Sequence, residues 1–166
     1  MPVGAPRTWT SGEIVTAAMM NAEIRDQTNE FYTGQPMGSH SPAWTGSTTN
    51  PVIGNGGMNG WYVRLGKQVD LTIGMTMGST TTFGSGFWSW SLPIAARQGA
   101  QVGTAPAGLW TATDNSAGTR YHGSMIHGAN TVFGIHGTGA TTLVSATGPI
   151  TWAQLDTFVM RLRYDV

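Results

Sequence analysis

A chain of 166 residues with no cysteine, and with eight Lys/Arg balanced by eight Asp/Glu, suits one domain with a small appendage and a sizeable core. The missing cysteine excludes disulfide frameworks, thiolate zinc sites and cysteine nucleophiles. Zero net charge supplies no overall field to draw nucleic acid or an anionic membrane, so neither is expected as a partner.

No apolar run reaches the ~20 residues of a membrane span, and no signal peptide opens the chain, so cytoplasmic synthesis is expected. The polar surface is built from 24 Thr, 11 Ser and 24 Gly, with seven Trp among them. Disordered chains lack aromatics and usually carry high net charge, so an ordered fold is expected. Threonine, glycine turns and aromatics suit many short strands.

In chain order, the first element is a helix between Thr10 and Tyr32, where Glu13, Glu23, Asp26 and Glu30 make up half of all the acids. Thr10 with Glu13 can form a capping box, and Thr16 is a second N-cap for a later start. Ala17, Met20, Ile24, Gln27 and Phe31 fall at heptad-like spacing, and Gly34 and Pro36 end the helix. So short a stripe is not stable alone. It must dock on its own β-domain, on copies of itself or on a larger particle.

Residues 33–46 are rich in Gly, Pro and Ser. The expected division is an arm and helix over 1–35, a linker over 36–46 and a β-domain over 47–166. Trp61–Leu65 reads as a strand, Gly66-Lys67 as a tight turn and Gln68–Met77 as the return strand, with Val69, Leu71, Ile73, Met75 and Met77 on its inner side.

Phe87–Leu92 follows, with Trp88, Trp90 and Leu92 on one face. Further strands are expected at Gly108–Thr113, Thr119–Ile126, Thr131–His136 and Thr141–Ala146. Thr157–Val166 closes the series, with Phe158, Met160, Leu162 and Tyr164 facing one way. Short strands with frequent turns and no βαβ rhythm point to a mainly β chain. The expected architecture is an antiparallel β-sandwich or jelly roll with a short N-terminal α-helix and extended arm.

Chemistry is scarce beyond the helix. Asp70, Asp114, Asp156 and Asp165 are the remaining acids, and a glycosidase would need two of them converging on one cleft. His122 and His127 lie five apart and face opposite sides of a continuous strand. Gly54-Asn55-Gly56-Gly57 lacks the Gly-Lys-Ser/Thr ending of a phosphate loop, and no Gly-x-Ser-x-Gly elbow occurs. No catalytic residue, metal site or cofactor is expected. Trp61, Trp88, Trp90 and Trp110 are ordinary candidates for core or subunit interface, and alternatively for a glycan-facing platform.

The stretch Arg7-Thr8-Trp9-Thr10-Ser11-Gly12-Glu13-Ile14-Val15-Thr16-Ala17-Ala18-Met19-Met20-Asn21-Ala22-Glu23-Ile24-Arg25-Asp26 resembles a leader of virion surface proteins from tailed phages of actinobacteria. In that leader a Trp, a Gly-Glu, a Thr-Ala-Ala and an Asn-x-x-Ile-Arg-Asp follow in this order. The segment from Trp44-Thr45-Gly46 through Asn50-Pro51 and Gly60-Trp61-Tyr62 to Arg64-Leu65-Gly66-Lys67 is similar to the opening of their β-domains. Met20 stands where the leader has Leu, and Met19 where it often has a polar residue.

The resemblance implies a non-enzymatic structural protein at the virion surface: a capsid decoration protein, head fibre or minor tail protein. It further implies a homotrimer, attached to the major capsid or tail protein of the same phage by its N-terminal arm. Arg7, Trp9, Val15, Met19, Met20, Ile24 and Phe31 are the expected attachment and oligomer contacts. The alternative is a receptor-recognition module that binds a host-surface glycan at a tail tip.

Overall fold

The alternation that begins at Gln68 lies on a strand whose apolar side is wholly interior, with Val69, Leu71 and Ile73 fully buried. The structure, a computed structural model, describes residues 7–26, 28–29, 37–97, 106–136 and 142–166. The chain divides into two compact units, Met1–Met37 and Gly38–Val166.

The second unit holds the strands β1 (Gly38–His40), β2 (Trp44–Gly46), β3 (Gly57–Leu65), β4 (Gln68–Thr76) and β5 (Trp88–Ser91). It continues with β6 (Gly108–Asp114), β7 (Thr119–His127), β8 (Thr131–His136), β9 (Thr142–Leu143) and β10 (Thr157–Asp165). The fold is mainly β, and every strand pairing is antiparallel. One continuous sheet runs β1-β3-β4-β10-β6-β7-β8-β5-β2, with β9 added on β8.

This sheet curls into a half-barrel, so its two ends face each other across the core as the layers of a sandwich do. Trp90 of β5 stacks on Phe158 of β10 with ring centroids 5.0 Å apart, although three strands separate β5 from β10 in the sheet. Phe158 also stacks on Trp110, and Trp88 packs against Trp44 and Trp152. Four of the buried indoles donate their N–H: Trp88 to Phe83 O, Trp90 to Met75 Sδ, Trp110 to Ile135 O and Trp152 to Ser145 O. Such partners let a polar-tipped ring sit inside without a desolvation penalty.

The close approach of Trp110 to the sheet requires glycine opposite it. Gly123 pairs with Trp110 across β6 and β7, and a Cβ there would meet the indole at 2.7 Å and collide with the Ile135 carbonyl. The β3–β4 hairpin turns at Gly66, whose φ of 61° is open to glycine at little cost.

The expected linker over 36–46 is corrected. Residues 38–40 and 44–46 are the two edge strands of the sheet, joined only by Ser41-Pro42-Ala43. The two edges therefore come together. Ser91 and Ala43 exchange bonds, Ser91 N–H to Ala43 O at 3.0 Å and Ala43 N–H to Ser91 Oγ at 2.8 Å, while His40 Nε2 lies 2.9 Å from Ser91 O.

In the first unit, the helix α1 (Ala17–Met20) continues as a π-helical turn over Asn21–Asp26. It starts at the later of the two expected caps. Met19 N–H donates to Thr16 Oγ1, and Thr16 N–H to Met19 Sδ, both at 3.3 Å. Thr10 and Glu13 do pair, but around a turn outside the helix, where Gly12 has a φ of 83°. That left-handed residue cannot continue a right-handed helix.

Candidate functional site

The segment before the helix is tied to it through Glu23 and to itself through Glu13. Arg7 N–H donates to Glu23 Oε2 at 3.2 Å, the Arg7 guanidinium pairs with Glu13, and Arg7 Cζ lies 4.9 Å from the Trp9 ring centroid. A cation over an indole face is attracted by the ring quadrupole, so Arg7 orients Trp9 while leaving that ring 44% exposed.

Beyond the Thr10–Glu13 turn come Val15, Met20 and Ile24, each about half exposed, and Ile14, which is 84% exposed. No residue of α1 or the π-turn is buried. A helix this short has no stability of its own, and clustered exposed apolar side chains mark an interaction surface. Met19 contributes less than expected, because it is half-buried and its sulfur is turned back onto Thr16. Phe31 lies outside the described residues. Ile14 was not among the expected contacts, since it falls off the expected helical stripe of Ala17, Met20 and Ile24.

On the β-unit, three of the four candidate glycan-facing aromatics are corrected. Trp88, Trp90 and Trp110 are interior, at 0%, 0% and 1% exposure, because Trp90 and Trp110 stack on Phe158 and Trp88 packs against Trp90 and Trp152. Trp61 differs. It sits on the outer face of β3 opposite Thr72 and is 39% exposed.

The remaining polar groups are mostly occupied by backbone. Asp156 is fully buried and accepts from Asn115 N–H at 2.9 Å and Ala153 N–H at 2.7 Å. Asp114, at the same end of the sheet, closes its own turn by accepting from Ala117 N–H and the Ser116 hydroxyl, which hold its carboxyl below the usual range. Both carboxylates hold turns through backbone amides.

His122 and His127 both lie on β7, on opposite faces, and His127 Nδ1 is 3.0 Å from Gly128 O. Among the described residues, no three His, Asp or Glu side chains gather as a metal site requires. No helix of the described residues is long and apolar enough to cross a membrane.

One charged cluster stands on the outer face. Asp70 of β4 accepts from Arg161 Nε at 3.2 Å and from an Arg163 terminal nitrogen at 2.8 Å, both from β10. Chiefly through Arg163, these bonds hold the Asp70 carboxyl below its ordinary value. Comparison with known proteins finds no matching family, no matching curated protein and no matching solved structure.

Proposed function

We propose that this chain is a non-enzymatic structural component of a tailed-phage virion. It is held on the particle through residues 1–35 and assembles as a homotrimer, with the β-unit carried at the virion surface. The observation that supports this reading most is the arm. Trp9, Ile14, Val15, Met20 and Ile24 are all more than 40% exposed on a helical unit with no buried helical residue. Residues of this kind gain stability only when a partner covers them. The resemblance of residues 7–26 to the phage leader implies the major capsid or tail protein as that partner.

The test is incorporation into particles. Full-length protein is expected to co-sediment with virions and, when free, to sediment as a trimer. A chain lacking residues 1–35 is expected to lose particle association. A full-length protein that is monomeric, together with undiminished incorporation of the truncated chain, would overturn the proposal.

A second reading is favoured by one specific observation. Trp61 keeps an exposed indole on the outer face while the other candidate platform tryptophans are interior. An exposed indole supports glycan recognition on that face.

A further inference from the structure

The outer face of β3, β4, β10 and β6 carries charged groups beside the exposed indole of Trp61. Cross-strand register places Trp61 opposite Thr72, Thr72 opposite Arg161, and Arg161 opposite Leu109. Trp61 and Arg161 therefore lie in one row, two strand spacings or about 10 Å apart. Arg163 is two residues along β10 from Arg161 and on the same face, and both guanidiniums lean on the single carboxylate of Asp70.

Asp70 neutralises only one of the two. The arginines remain 74% and 64% exposed, whereas Asp70 is 26% exposed. Asp70 engages Nε of Arg161 and one terminal nitrogen of Arg163, so each fork retains N–H donors for a further acceptor. Beside them is an open cavity of about 380 Å³ lined by Asp70, Ala107, Leu109, Arg161 and Arg163. Leu109, 70% exposed, forms an apolar wall. Residues 38–166 as a whole carry six Lys/Arg against four Asp/Glu, and one of those acids, Asp156, is fully buried.

From this we infer that the outer face is a binding site for an acidic polysaccharide, in which a neutral sugar stacks on Trp61 and a neighbouring uronate carboxylate is gripped by Arg161 and Arg163. This rests on the second reading above, glycan recognition, and names the class of glycan. The chemistry fits at each end of the row. An exposed indole face takes the C–H side of a pyranose ring, and planar guanidiniums match a carboxylate with paired N–H donors. Asp70 is a resident competitor that holds both forks in place until the ligand carboxylate arrives.

The experiment titrates the full-length chain with hyaluronan oligosaccharides, which alternate uronate and neutral sugars, and with dextran oligosaccharides of equal length. Binding of hyaluronan but not dextran is expected, weakening as salt rises. Trp61→Ala and the pair Arg161→Gln with Arg163→Gln should each weaken it about tenfold. All three positions are exposed, so an unchanged melting temperature shows that folding is not the cause.

Asp70→Asn should act in the opposite direction and tighten hyaluronan binding several-fold, because it frees the guanidiniums. A merely structural role for Asp70 would not produce that gain. Dextran binding equal to hyaluronan binding, lost with Trp61→Ala, would overturn the acidic-ligand inference and leave glycan recognition standing. If neither oligosaccharide binds, this inference and the glycan reading both fall.

Discussion

At single residues, the interior of the β-unit makes two sharp demands. Tyr164 donates its hydroxyl to Ile94 O at 3.1 Å, and burial pushes its ionisation up to about 12 from an ordinary value near 10. The unfolded chain therefore loses this proton first as pH rises. The stability Tyr164 confers is complete below pH 10 and drains away between about 10 and 12. Alkaline titration followed by tyrosinate absorbance and melting temperature should show that decline, and Tyr164→Phe should flatten its share of it.

Asp156 makes the second demand. Its carboxylate satisfies the Asn115 and Ala153 amides in a fully buried place. Removing it in Asp156→Ala orphans both donors and should cost about 3 kcal/mol, measured by urea unfolding. Asp156 could be picked out in the sequence as a rare acid of the β-domain. Its structural task could not, because one of its two partners, Asn115, lies in a turn 41 residues away.

Among the elements, strong alternation was legible and weak edges were not. β4 and β10 were readable because their inward residues, Val69 to Met75 and Phe158 to Tyr164, are all large and apolar in a strict period of two. β1 and β2 are composed of Gly38, Ser39, His40 and the short Trp44-Thr45-Gly46, where no periodicity can develop. Their strand character comes from partners far along the chain, Trp61 and Tyr62 for β1 and Trp88 to Trp90 for β2. Tertiary pairing thus overrides local propensity at both edges.

The tryptophans show the same limit. Alternation in Trp88-Ser89-Trp90 reveals two faces but not whether the indoles fill the core or form an exposed platform. The curl of the sheet decides it by bringing Phe158 opposite. Gly123→Ala tests how closely β7 is fitted to Trp110: the added methyl should force the indole to move and cost about 1–3 kcal/mol in urea unfolding. An alanine tolerated without loss would mean that the two strands are less tightly apposed than their register indicates.

For the whole molecule, the two units divide the work. The β-unit commits its aromatics to stability: Trp110→Ala should cost about 3–5 kcal/mol, whereas Trp61→Ala should leave the melting temperature nearly unchanged. Loss of glycan binding on substitution of Trp88 or Trp110 would therefore report unfolding rather than a lost contact. The arm leaves its apolar residues exposed; of the expected stripe, Met20 and Ile24 are about half exposed, and Gln27 and Phe31 lie outside the described residues. Where the helix begins was not legible, because only the positive φ of Gly12 decides between Thr10 and Thr16.

Attachment of this exposed surface to a phage particle is the proposal on which the function rests. It is tested most directly by counting bound copies when purified full-length protein is added to particles lacking it, for the native chain and for Met20→Glu with Ile24→Glu. Both substituted residues are about half exposed, so the folded β-unit should be untouched. Saturable binding of the native chain is expected, with at least a tenfold loss for the substituted one. Equal copy numbers for the two proteins would contradict it.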